Sequence, residues 1–224
     1  MNYRFCVLIT GLALLVVSCS KFPLFQDDTF TDTRDNHVYK QVRIGTQTWM
    51  AENLAYLPAV SPSAVGSDSI PHYYVYDYQG ISTDAAGTAG TYNNYGVLYN
   101  WEAAKFSCPS GWHLPNDEEW QTLADFLDKN WLTVGNKMKE TGTSHWISPN
   151  DKATNKSGFT GLPGGERSVS GGFNGIGYYG EFWSSSIIYP PFIKIRMLVT
   201  GLEVLGANHF DPGNGFSVRC LKDQ

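Results

Sequence analysis

Cys108-Pro109-Ser110-Gly111-Trp112-His113-Leu114-Pro115-Asn116-Asp117-Glu118-Glu119-Trp120 is the stretch on which the fold turns. Its first half breaks the chain with Pro and Gly. Its second half starts the clearest helix of the sequence. Asn116 can cap that helix, and Glu119, three residues on, completes a capping box. Trp120, Leu123, Ala124 and Leu127 then recur on one apolar face. Asp117 and Glu118 complement the positive end of the helix dipole. Upstream, Trp101–Ser107 reads as a short helix and Tyr95–Asn100 as a short strand, and downstream Val134–Glu140 reads as a further short helix. His113, inside the quoted stretch, is expected to be half-buried, donating to a backbone carbonyl and fixing the turn before the helix.

Further out, strands take over. Val38–Ile44 alternates as a half-buried strand does, Gly45-Thr46 turns, and Gln47–Ala51 returns as the second arm of a hairpin. The segment from Pro58 to Asn94 mixes Ser, Pro, Gly and Tyr without a helical period. After the helices the chain is rich in glycine, with strand-like pieces at Ser157–Gly165, Gly180–Ser185, Ile193–Val199 and Phe216–Leu221. No internal repeat is visible. The pattern predicts an α+β fold with two or three helices, short antiparallel strands and long loops.

The N-terminus is read apart from the domain. Arg4 precedes an apolar run, Val7–Val17, too short to span a bilayer, which needs about 20 residues. The run ends in Val16-Val17-Ser18-Cys19, the pattern of a bacterial lipobox. Residues 1–18 therefore read as a lipoprotein signal peptide, Cys19 as the lipidated residue, 19–36 as a polar tether and 37–224 as one domain. Export leaves Cys108 and Cys220 in an oxidising compartment, where they are expected to pair. The charge balance, 16 Lys+Arg against 21 Asp+Glu with no basic run, argues against a nucleic-acid partner. The 7 Trp, 13 Tyr and 12 Phe beside 23 Gly suit short strands and many turns.

Six phrases in order carry a family resemblance. They are Ile44–Leu54 (IGTQTWMAENL), Gly96–Trp101 (GVLYNW), Cys108–Pro115 with Glu119-Trp120, Ser157-Gly158-Phe159 leading to Leu162–Gly165, Phe182–Ser185 (FWSS), and Gly215–Cys220 (GFSVRC). Together they resemble the Fibrobacter succinogenes major paralogous domain, a family of secreted and lipid-anchored proteins. The resemblance implies a C-type-lectin-like fold of small twisted antiparallel sheets, related to the formylglycine-generating-enzyme branch. It brings no general activity with it. The additional cysteine pair common before Tyr92–Tyr95 is absent here, so the loop before it is either looser or packed by its own tyrosines. The oxidase chemistry of the formylglycine branch needs redox-active cysteines, which a structural Cys108–Cys220 bridge would use up.

Candidate chemistry is sparse. No Gly-x-Ser-x-Gly elbow surrounds Ser184-Ser185-Ser186. His37, His72, His145 and His209 stand alone in sequence. Glu118, Glu119, Glu166 and Glu181 are conceivable glycosidase carboxylates, with Glu119 better explained as a cap. Asn208–Asn214 offers oxygen ligands in a turn, so Ca²⁺ is conceivable, but it lacks the Ca²⁺ phrases of lectins and reads as an Asn/Asp/Gly turn. No metal or other cofactor is expected. The expected ligand surface is the stretch from Trp183 to Asn214, with Trp183, Tyr189, Phe192, Lys194, Arg196, Asn208, His209, Asp211 and Asn214 as its residues. In C-type-lectin-like folds that part of the chain faces the ligand, and its mix of aromatic, Asn and Arg side chains is that of a recognition patch. Arg219 is expected to bond internally. The leading expectation is a non-enzymatic binding or adhesion module, lipid-anchored at the outer-membrane surface, that takes a glycan or protein. A structural component of an envelope complex and a hydrolase acting on polysaccharide or peptidoglycan are the alternatives.

Overall fold

The computed structural model describes residues 28–224. The expected signal peptide, residues 1–18, and the expected lipidated Cys19 lie outside the described residues. The domain begins earlier than His37: Asp28–Thr31 is strand β1, antiparallel to β2 (Val38–Ile44). This part of the expected tether is therefore sheet. Phe30 explains why, because its ring stacks on Trp112 at 4.4 Å and on Tyr39 at 5.4 Å. One aromatic anchor in a polar segment carries no periodicity for a sequence reading to find.

The β2–β3 hairpin (β3, Gln47–Met50) turns as expected at Gly45, whose φ of +63° few other residues adopt without strain. The first sheet runs β1-β2-β3-β12-β6, with β6 at Trp112–His113 and the C-terminal β12 at Leu221–Lys222. Between β3 and β6 lie β4 (Tyr73–Tyr74), α1 (Thr83–Gly87), α2 (Gly90–Tyr95), β5 (Leu98–Tyr99) and α3 (Trp101–Ser107). The described residues thus hold five helices rather than two or three, once α4 (Asp117–Leu127) and α5 (Val134–Met138) are added. The two unforeseen ones are a single turn or little more. They sit in the tyrosine-rich segment, which is packed rather than loose. Val60, Val75 and Ala86 form a small core there, and the Tyr74 and Tyr92 hydroxyls donate to the Val65 and Ala55 carbonyls.

Helix α4 starts with the full capping box: the Asn116 side chain accepts from Glu119 N–H at 2.9 Å, and the Glu119 carboxylate accepts from Asn116 N–H at 2.8 Å. Trp120, Leu123 and Ala124 are buried against Val42, Ile44 and Trp49 of the hairpin. Replacing Asn116 by Ala is expected to cost about 1 kcal/mol in chemical denaturation, the ordinary loss of a cap.

The second half adds β7 (Glu166–Arg167) with β8 (Phe173–Asn174). It also adds a three-stranded sheet ordered β11-β10-β9, made of β9 (Tyr179–Tyr189), β10 (Phe192–Val199) and β11 (Gly206–Phe210). Ser157–Gly165 is not a strand. Its β-bridge among the described residues joins Gly161 to Lys139. Likewise, Phe216–Leu221 makes isolated bridges at Phe216 and Ser217 before β12.

A loop-rich body leaves many buried carbonyls without ladder partners, and burying them unpaired is costly. Three buried cations take up several of them here: Arg219, Arg167 and Lys139. Arg219 donates to the carbonyls of Met50, Phe159 and Thr160 and to the Asn53 side chain, beneath the Phe159 and Phe182 rings. Internal bonding of Arg219 was expected, and backbone carbonyls rather than a carboxylate supply most of it. Burial pushes its pKa down to about 9, which still leaves it charged at neutral pH. Arg167 bonds the Ser63 and Gly213 carbonyls, and Lys139 those of Val199 and Leu202.

Candidate functional site

The antiparallel register of β9, β10 and β11 puts alternate residues on opposite faces. Ile193 and Ile195 of β10 point into the core. Phe192, Lys194 and Arg196 lie on the other face, where Phe192 pairs with Tyr189 and Lys194 with His209 across the strands. Tyr189, Phe192 and His209 form a ring cluster with centroids 5.3–5.6 Å apart, closed by a Tyr189 Oη···His209 Nε2 contact of 3.0 Å. Tyr189 is 51 % exposed and His209 also faces solvent.

The other expected surface residues are mostly spoken for. Trp183 is fully buried, its indole N–H donating to the Tyr99 carbonyl at 2.7 Å. Asn214 is buried and accepts from Val169 N–H. The Asp211 carboxylate accepts from Gly213 N–H within its own turn. Arg196 is only 3 % exposed, held with Lys194 on the Asp117 carboxylate, its guanidinium over the Trp131 ring. These pairs pin the start of α4 to the sheet. Asn208 is exposed, and its side chain accepts the N–H of His209. Of the nine residues expected to line a ligand surface, Trp183, Arg196, Asp211 and Asn214 serve the fold. Sequence could not separate them from the rest, because an aromatic or Arg side chain looks the same on either face of a strand.

The described residues also hold shifted titratable groups. His113 is not bonded to a backbone carbonyl as expected. Its Nδ1 meets Asp223 at 2.6 Å and its Nε2 meets Glu119 at 2.9 Å. Partial burial alone would lower its pKa, but the two carboxylate contacts outweigh that and hold it above the ordinary value. With both nitrogens engaged, the imidazole clips the C-terminus to the start of α4 and offers no free lone pair to a substrate. Glu181 is 5 % exposed and its Oε2 has no hydrogen-bond partner. Burial, reinforced by the nearby Glu166, pushes its pKa up to about 8. Glu166 is raised as well, again chiefly by burial. A cavity of about 330 Å³ lies beside His113, lined also by Gln47, Glu119 and Thr122. Among the described residues no group of three or more His, Cys, Asp or Glu side chains converges in a way that could hold a metal ion. Nor is any described helix long and apolar enough to cross a membrane.

The Cys108 and Cys220 sulfurs are bonded, with their Cα atoms 5.8 Å apart, joining the end of α3 to the start of β12. Fold and surface together define a disulfide-closed α+β domain with a solvent-facing aromatic cluster on its second sheet. The chain belongs to the Fibrobacter succinogenes major domain family, whose model matches residues 42–222. No curated protein and no solved structure matches it.

Proposed function

We propose that this domain is a binding module of C-type-lectin-like kind, not an enzyme, that meets its ligand through the outer face of the β9–β10–β11 sheet. The observation that carries this reading is the Tyr189–Phe192–His209 cluster, with Tyr189 and His209 exposed and Phe192 half-buried between them. Large rings held in solvent, stiffened by each other and carrying polar tips, supply contact area at little entropic cost. Ile187 and Ile188, 53 % and 45 % exposed on the same strand, add aliphatic surface at that end of the sheet and favour a protein over a glycan as the ligand. A hydrolase finds less support, since both His113 nitrogens are engaged and Glu181 is buried. The proposed setting is the outer-membrane surface, with the domain tethered by acyl chains on Cys19.

The full chain screened on protein and glycan arrays should yield a ligand. The Tyr189→Ala/His209→Ala double variant is expected to bind it at least about 30-fold more weakly, the loss of a hot spot worth about 2 kcal/mol. Undiminished binding by the variant would move the site off this face. Failure of every arrayed ligand would favour a structural role in an envelope complex.

A further inference from the structure

A groove on another part of the molecule has the make-up of a second site. It is a cavity of about 330 Å³ between the β1–β2 turn, the segment following β3, and helices α1 and α2. That size falls at the lower end of small-ligand clefts, about 300–1,000 Å³. Six side chains matter there: Arg34, Asp35, Tyr56, Thr83, Asp84 and Tyr92.

Its walls are fixed in advance. The Arg34 guanidinium is held by the buried Asp32 carboxylate, with contacts of 2.6–3.1 Å, and by the Ser107 carbonyl at 2.8 Å. Its carbon lies 3.7 Å above the Tyr56 ring. The Tyr56 carbonyl in turn accepts from the Tyr99 hydroxyl, and the Tyr92 hydroxyl donates to the Ala55 carbonyl. The Arg34 and Tyr92 side chains therefore need no ordering when a ligand arrives, which lowers the entropic cost of binding.

Several polar groups in the groove have no hydrogen-bond partner among the described residues. Arg34 donates through Nε and Nη2 only, leaving Nη1 unused. Asp35 accepts one backbone N–H through Oδ1 alone, and the Asp84 carboxylate and Thr83 hydroxyl make no hydrogen bond to another described residue. The groove therefore presents donors and acceptors together, beside the Tyr56 and Tyr92 rings that line it. An anionic ligand is disfavoured by Asp35 and Asp84. A purely apolar ligand would strand these polar groups without water. A sugar ring fits the combination: its hydroxyls donate to the carboxylates and accept from the guanidinium, while its C–H face lies on an aromatic wall.

We propose that this groove is a carbohydrate subsite that holds one pyranose unit of a neutral glycan, separate from the β9–β10–β11 face. It does not depend on the reading of that face.

The test is a titration of the ¹⁵N-labelled full chain with short neutral oligosaccharides of glucose, galactose, mannose and N-acetylglucosamine. At least one should shift the amides of Asp35, Thr83, Asp84 and Gly87. The Asp35→Ala/Asp84→Ala variant, altered at two exposed side chains, should bind that sugar at least about tenfold more weakly while its amide spectrum away from the groove stays that of the wild type. Asp84→Asn, which keeps the shape and removes the charge, should weaken it in the same direction. The proposal is overturned if no sugar moves these amides, if only amides of residues 187–210 respond, or if the double variant binds as the wild type does.

Discussion

Replacing Cys108 and Cys220 by alanine is expected to remove about 4–5 kcal/mol of folding stability, from loop closure alone. The bridge spans 112 residues, so the denatured chain without it gains a large set of conformations. The native body has little with which to offset that loss. Strand β12 is two residues long, and it is the strand that joins β3 to the edge strand β6. The first sheet is therefore continuous only where the C-terminus is held in place. Cys220 is itself fully buried, in one core cluster with Tyr39, Met50, Trp183 and Phe216. The measurement is urea unfolding followed by tryptophan fluorescence. For a chain of this size the deficit corresponds to a fall of roughly 10–20 °C in the melting midpoint. A difference under about 1 kcal/mol would show that packing, not the bridge, closes the domain.

The second large effect concerns pH. Glu181 has a folded pKa of about 8 against an ordinary 4.5, with burial the main cause and Glu166 the lesser. Its folded-state pKa lies above its unfolded one, so over the interval between them the native state holds a proton that the unfolded chain has released. The stability it contributes is complete below about pH 4.5 and is lost as pH rises toward 8. A tenfold difference in proton affinity between the two states corresponds to about 1.36 kcal/mol. Between pH 5 and pH 8 the wild type should therefore lose about 3 kcal/mol more than Glu181→Gln, which cannot ionise. His113, raised by Asp223 and Glu119, adds a slope of the same sign, but it is common to both proteins and cancels in the comparison. Parallel pH profiles for the two proteins would mean that Glu181 ionises freely in the fold.

The legible parts of this chain were those where local chemistry suffices. The capping box at Asn116 and the face Trp120-Leu123-Ala124 fixed α4, since a cap and a 3.6-residue period need only neighbours in sequence. Gly45 fixed the hairpin for the same reason. The Cys108–Cys220 pairing followed from the expectation of export, which leaves those two thiols to pair. Segments whose structure comes from distant partners were not legible. Strand β1 exists because Phe30 stacks on Trp112, and α1 and α2 are held by packing of Ala86, Ala89 and Tyr92 against Val60 and Val75, with the Tyr92 hydroxyl on the Ala55 carbonyl.

The candidate sites divide along the same line. The sequence alone determined the α+β class, the family and the disulfide, because each is written in spacing, order or residue type. Tertiary structure alone decided which aromatic and charged residues between Trp183 and Asn214 face solvent. It also decided that Arg219, Arg167 and Lys139 serve loop carbonyls from within. It alone brought Arg34, Asp35, Tyr56 and Asp84 around one groove. The physical reason is that burial and hydrogen-bond partnership depend on which segments meet across the fold, and no local pattern records that.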